Sequence, residues 1–83
     1  MKINLSGHFN QSLEEVGFSF PGTLQMNMSA SYADNLRNVI AFLVAQGIKS
    51  DTVVTVALPG MNALASMVIV ALHGLTGQFP KLA

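Results

Sequence analysis

The stretch VALPGMNALASMVIVALHG, residues Val56 to Gly74, limits the choice of fold most strongly, because it contains no Lys, Arg, Asp or Glu. Pro59 and Gly60 interrupt it near its start. A membrane helix needs about 20 consecutive apolar residues, and the helix-compatible part, Met61 to His73, is shorter and includes polar Asn62. The Lys or Arg clusters that flank membrane spans are also missing. The stretch therefore predicts a strand, a tight loop and a buried helix, and no interaction with a membrane.

Several other segments have strand character. MKINL at the start is strand-like, and TLQMNMS, residues 23–29, alternates apolar and polar side chains with the period-two pattern of a strand. DTVVTVAL, residues 51–58, is a β-branched run without strict alternation, as in a central parallel strand covered on both faces. FPKLA at the end resembles the beginning of a further strand. The sequence therefore predicts a mainly parallel sheet of about four strands, the last of them short or truncated.

Helical patterns separate these strands. QSLEEVG, after the first strand, predicts a short helix. Ser31 followed by Asp34 resembles a capping box, and apolar residues recur at helical spacing from there to Gly47, where a left-handed C-terminal cap is expected. His73 falls in the last turn before Gly74, where an imidazole suits the negative end of a helix. We expect this histidine to be structural.

Strands that alternate with helices permit parallel pairing by right-handed crossovers. Residues 1–83 are therefore expected to form a single α/β domain, a minimal Rossmann-like three-layer fold with strand order 2-1-3-4. In that order the first strand lies beside the third, and their crossovers leave on opposite faces of the sheet. The carboxyl ends of these two strands then form a topological switch point, where open α/β sheets bind ligands.

The composition indicates a partner surface. The chain is 51% hydrophobic and 10% charged, against roughly 25% charged residues in ordinary soluble domains. A domain of 83 residues buries only about 60–65% of its unfolded surface and cannot cover a helix that is apolar all round. We therefore expect part of the helix Met61 to His73 in the interface of a homodimer or higher homo-oligomer.

The net charge and the cysteine and histidine content exclude several classes of function. The net charge is zero, and the only fixed cations are Lys2, Arg37, Lys49 and Lys81, so there is no basic stripe for duplex nucleic acid. The chain has no cysteine, which excludes disulfides and thiolate metal sites and agrees with a cytoplasmic location. Its two histidines belong to no HExxH motif, so we expect no metal and no cofactor.

Two loops follow the first and third strands and would meet at the switch point. SGHF, Ser6 to Phe9, places polar groups at the carboxyl end of a strand. PGMN, Pro59 to Asn62, leads into a helix, so the backbone N–H groups of Gly60, Met61 and Asn62 would lie beside a bound anion. Many such turns contain Gly for geometry alone, and a lone loop histidine is more often only solvated. A purely structural role therefore stays open for each loop.

The run LPGMNALASMVIVALHGLTGQFP, preceded by LQMNM and a capped helix, and the start INLSGH together resemble a small CRISPR-associated ring nuclease family of type III systems. Its members are similar to minimal CARF domains. Two features depart from the family pattern. Gln78 stands where that pattern commonly has His, and the chain ends at FPKLA where family members continue for another strand or two. We therefore expect a truncated or naturally shortened form.

The resemblance implies that a homodimer binds cyclic oligoadenylate, most often the four-membered ring, across its two-fold axis. Cleavage without metal would use a ribose 2′-hydroxyl of the ligand and switch off type III signalling. His8 is implied as the general acid or base, and Ser6 as the group that orients ribose or phosphate. The implied ligand-binding residues are Ser6, Gly7, His8, Phe9, Pro59, Gly60, Met61 and Asn62.

Two other functions remain open at this point. One is a module that binds or sequesters the same nucleotide without cleaving it. The other is an interaction protein whose apolar helix is its whole function. Whether the chain is an enzyme is therefore not decided by its sequence.

Overall fold

In the computed structural model, which describes residues 1–83, three short strands and three helices follow one another along the chain. The elements are β1 (Lys2–Asn4), α1 (Gln11–Glu15), α2 (Tyr32–Ala45), β2 (Thr55–Ala57), α3 (Asn62–Thr76) and β3 (Lys81–Leu82). Both strand pairings are parallel, and the order across the sheet is β1-β2-β3. The predicted α/β class and parallel sheet are thus confirmed, but the sheet has three strands.

The strand predicted over residues 23–29 is wrong, and the side chain of Asn35 explains why. Its amide nitrogen donates to the Asn27 carbonyl oxygen (2.9 Å), and its amide oxygen accepts from the Asn27 backbone N–H (2.8 Å). In a β-sheet, the Asn27 N–H and carbonyl would instead bond a neighbouring strand. Leu24 is buried and Met26 packs against the core. The alternating pattern therefore reflects an extended loop held to α2 by a side chain.

The edge of β1 that does not pair with β2 is occupied by Ser19, which precedes the predicted strand 23–29. Ile3 and Ser19 form an isolated parallel bridge. The Asn4 N–H donates to the Ser19 carbonyl (2.8 Å), and the Ser19 N–H donates to the Lys2 carbonyl (3.1 Å). The predicted adjacency of the first strand to the run 51–58 is present, with Ile3 opposite Val56. The full order 2-1-3-4 is not found, because its second strand is reduced to this single bridge.

Both long helices pack on one face of the sheet. Side chains alternate along a strand. Ile3 of β1, Leu5 directly after β1, and Val56 of β2 therefore point to the same face of the sheet. All three belong to one core cluster with α2 and α3, which also pack against each other. The helices contribute Val39, Leu43, Leu64, Met67, Val68, Ala71 and Leu72 to this cluster. Burial of each large aliphatic side chain contributes about 1.5–3 kcal/mol.

The other face of the sheet is covered only beside β1. Lys2 and Asn4 point to this face, and the Lys2 ammonium donates to the carbonyl of Val16 (2.8 Å) and lies 5.9 Å from the centre of the Phe18 ring. Lys81 of β3, in register with Thr55 and Lys2, is exposed. The predicted third layer is therefore limited to the residues that follow α1.

The helix ends depend on their caps. Ser31 caps α2 as predicted, since its side chain accepts from the Asp34 N–H (3.1 Å). Gly47 follows the end of α2 with φ of 87°. The predicted end of α3 before Gly74 is wrong: the helix runs through Gly74, and Gly77, at φ 81°, is its left-handed cap. Thr76 is buried, so the buried face of the helix continues past Gly74.

None of the three helices combines the length and the apolar composition needed to cross a membrane.

Replacement of Asn35 by alanine is expected to lower the free energy of unfolding by about 2–3 kcal/mol, because the Asn27 backbone N–H and carbonyl lose their partners. Denaturant unfolding followed by circular dichroism measures this change. Asn38→Ala is the matched control, since Asn38 is an exposed residue of the same helix. Equal stability of the two variants would contradict the role given to Asn35.

Candidate functional site

The loops that follow β1 and β2 line one cavity of about 340 Å³ at the carboxyl ends of these strands. The first loop contributes Ser6, Gly7 and His8, and the second contributes Pro59, Gly60 and Met61. About 50 positions of sequence separate the loops, and parallel pairing of β1 with β2 brings them together. Six of the eight predicted ligand-binding residues therefore lie around one cavity.

A third wall of this cavity was not predicted as part of the site. Thr23, Leu24, Gln25 and Met26 line it, in the segment that Asn35 holds as an extended loop. Thr23 and Gln25 are exposed, so a hydroxyl and an amide are available at this wall. Their alternation with apolar residues is the only signal in the sequence, and this pattern is typical of a strand.

Two predicted site residues lie elsewhere. Asn62 is the first residue of α3, is exposed and does not line the cavity. Phe9 lies beyond His8, where its ring meets that of Phe20 with 6.2 Å between the ring centres. It lines a different cavity.

Asn4, which the sequence did not single out, organises the first loop. It is 2% exposed. Its amide oxygen accepts from the Ser6 N–H (3.0 Å) and the Ser6 hydroxyl (2.6 Å), and its amide nitrogen donates to the His8 carbonyl (2.9 Å). A buried polar side chain with all these bonds holds the loop in one shape.

The hydroxyl of Ser6 therefore has a structural role. Its proton is directed to Asn4, and its oxygen also accepts from the backbone N–H of His8 (3.3 Å). Gly7 between them has φ of 86°, a left-handed conformation that disfavours other residues. The loop is thus preorganised by its own residues, and Ser6 shapes the cavity wall.

His8 is the only titratable side chain that lines this cavity. It is exposed, and its hydrogen bonds use only its backbone N–H and carbonyl, so both ring nitrogens are free to meet a ligand. Arg37 pairs with Asp34 at 2.6 Å, and neither Arg37 nor Lys81 lines the cavity. Any proton transfer by a side chain at this site falls to the imidazole of His8.

The start of α3 adds hydrogen-bond donors beside the cavity. Its N-cap residue, Met61, makes no side-chain cap bond. The backbone N–H groups of Asn62, Ala63 and Leu64 have no acceptor within the chain, and Leu64 lines the cavity with Met61. Free N–H groups and the positive end of a helix together favour an anion.

No group of three His, Asp or Glu side chains comes together anywhere in the chain. The cavity itself offers one imidazole, backbone N–H groups and uncharged polar side chains.

Comparisons with protein families, with characterised proteins and with solved structures found no match for this chain.

Proposed function

We propose that this protein binds cyclic oligoadenylate, with cyclic tetra-adenylate as the preferred ring. The observation that carries the proposal is the meeting of the loops Ser6–His8 and Pro59–Met61 at one cavity beside the start of α3. Such an edge of a parallel sheet suits a phosphate-bearing ligand. The choice of this ligand comes from the resemblance of INLSGH and LPGMNALASMVIVALHG to the ring nuclease family.

The size of the cavity supports binding by two copies of the chain. Its volume of about 340 Å³ is at the lower end of the range for small-molecule sites, about 300–1,000 Å³. A ring of four nucleotides is larger than one such cavity, so each protomer would hold one part of it. A two-fold-symmetric ligand is matched by an isologous dimer, in which both protomers offer the same loops.

Cleavage of the ring is the finer part of this proposal. A ribose 2′-oxygen attacks the adjacent phosphorus, the bond from phosphorus to the 5′-oxygen breaks, and a 2′,3′-cyclic phosphate and a 5′-hydroxyl form. One proton leaves the 2′-oxygen and one reaches the departing 5′-oxygen. His8 would transfer both, while N–H groups at the start of α3 stabilise the charge on the phosphate.

Binding without cleavage is the second candidate. It is favoured by the presence of one titratable side chain at the cavity and by the commitment of the Ser6 hydroxyl to Asn4. Where cleavage does occur, we expect slow turnover, because a single imidazole must serve as both base and acid.

Asn62→Pro tests the binding proposal at one atom. Proline is accepted at the first position of a helix, and the extended backbone of the preceding residue, Met61, suits it. The variant removes one free N–H donor and leaves α3 intact. A hydrogen bond to a charged group is worth about 1.5–3 kcal/mol, so we expect cyclic tetra-adenylate to bind about tenfold more weakly or worse, measured by calorimetry in EDTA.

Asn62→Ala is the matched control, because it removes the side chain and keeps the N–H. We expect it to bind cyclic tetra-adenylate like the unmodified protein, with one ring for two chains. Failure of the unmodified protein to bind any cyclic oligoadenylate would refute the proposal. Equal affinities of the proline and alanine variants would remove the Asn62 N–H from the site.

A further inference from the structure

A second cavity of about 320 Å³ lies beside β1 on the face of the sheet opposite α2 and α3. Asn4 contributes to its wall. The loop that lines the first cavity with Ser6, Gly7 and His8 continues with Phe9 and Asn10, which line the second cavity. Its volume is at the lower end of the range for small-molecule sites. It therefore suits a single ring system and not a whole oligonucleotide.

Three of the seven residues that line this second cavity are aromatic. Phe9, Phe18 and Phe20 line it, which is three of the five phenylalanines in the chain. The planes of Phe9 and Phe20 meet at 65°, so the two rings form a corner. Phe9 is 59% exposed and Phe20 is 37% exposed, whereas Phe18 is buried. Two exposed rings at a cavity are a stacking surface for a flat ligand.

Two polar groups at this cavity have no hydrogen-bond partner in the chain. The carboxylate of Glu14 makes neither an ion pair nor a side-chain hydrogen bond, and the only salt bridge of the chain joins Arg37 to Asp34. The amide oxygen of Asn10 caps α1 at Leu13, which leaves its amide nitrogen free. A carboxylate accepts hydrogen bonds from an amino group, and an amide nitrogen donates to a ring nitrogen.

We propose that this cavity binds a flat heteroaromatic ring that carries an amino group, with adenine as the matching base. The base stacks in the corner of Phe9 and Phe20, its amino group donates to Glu14, and a ring nitrogen accepts from Asn10. The choice of adenine rests on the proposed function, since the cavity then holds a base while the first cavity holds phosphate. The loop Ser6–Asn10 contributes to both cavities.

Adenosine is the probe for this inference, because it carries the base and no phosphate. Titration of ¹⁵N-labelled protein with adenosine is expected to shift the amide signals of Phe9, Asn10 and Phe20. Phe9→Ala and Phe20→Ala are each expected to weaken adenosine binding by about 5- to 150-fold, the range found for loss of one stacking side chain. Glu14→Gln, which keeps the shape and removes the charge, is expected to weaken it less.

Phe79→Ala is the matched control, because Phe79 is also exposed but stacks on His73 away from this cavity. It is expected to bind adenosine like the unmodified protein, and circular dichroism of each variant verifies that it is folded. Adenosine shifts confined to other residues, or equal effects of Phe9→Ala and Phe79→Ala, would overturn the inference. Stronger binding of tetramethylammonium than of adenosine would also overturn it, because the corner would then serve an organic cation.

Two results separate this inference from the proposed function. Binding of cyclic tetra-adenylate that is sensitive to Asn62→Pro, together with no adenosine shifts at Phe9 or Phe20, would reject the base site alone. Adenosine binding at Phe9 and Phe20 without any binding of cyclic tetra-adenylate would support the base site and reject the proposed function.

Discussion

Val68→Glu is expected to unfold the chain, whereas Val70→Glu, on the same helix, is expected to leave it folded. Val68 is 0% exposed and belongs to the core cluster, while Val70 is 51% exposed. A charge without a partner in the core costs several kcal/mol, which is most of the stability of a domain of this size. Circular dichroism at increasing denaturant concentrations measures both variants. A folded Val68→Glu protein would contradict the packing of α3.

The same pair of variants tests whether copies of the chain associate through α3. The sequence shows only that the helix has no charge, so it gives no reason to prefer one face of it for a partner. In the structure the chain itself buries Met67, Val68 and Leu72, and Val70 lies on the outer side. Val70→Glu should therefore dissociate a dimer that uses this side while the protomer remains folded. Sedimentation at micromolar concentration distinguishes the two states, and a folded unmodified monomer would reject the dimer.

Elements with a local cause could be predicted from the sequence. Ser31 caps α2 through an N–H three residues away, and Pro59-Gly60 ends a strand shortly before α3 begins. The parallel pairing of β1 with β2 could also be predicted, because few topologies are possible for a chain in which strands alternate with helices. The meeting of the loops at residues 6–8 and 59–61 is a consequence of that pairing.

Features that depend on side-chain amide hydrogen bonds could not be predicted. Residues 23–29 have the period of a strand, but Asn35 bonds the backbone of Asn27 from eight positions away. Asn4 bonds residues only two and four positions away, but its place in a strand pattern does not indicate that its amide is buried or holds Ser6 and His8. Both cases are side-chain amides that replace backbone partners, and hydrophobic periodicity carries no information about such bonds.

The end of α3 shows a different limit. Gly is a common C-terminal cap, and both Gly74 and Gly77 stand where a helix could end. The choice depends on Thr76, which is buried and donates through its hydroxyl to the Leu72 carbonyl (2.8 Å). That burial extends the helix past Gly74 and leaves His73 stacked on Phe79, with 4.3 Å between the ring centres.

His8→Ala is expected to lower the single-turnover rate of cyclic tetra-adenylate cleavage by about 10²–10⁴ fold, the range for loss of a general acid or base. Ligand affinity is expected to change little. The substitution isolates the imidazole, because Asn4 donates to the backbone carbonyl of residue 8, which alanine retains. The loop should therefore keep its shape. His73→Ala is the control, since His73 is the other histidine of the chain and lies in the last turn of α3.

Three outcomes of this experiment have different meanings because binding and cleavage are measured separately. Loss of cleavage with unchanged binding assigns proton transfer to His8. Equal losses of binding and cleavage would mean that His8 contacts the ligand equally in the ground state and the transition state. Unchanged cleavage removes His8 from the chemistry, and no other titratable side chain lines the cavity to replace it. In that case the rate would have to come from alignment of the 2′-oxygen and from the N–H groups of α3, and Asn62→Pro would then lower cleavage where His8→Ala does not.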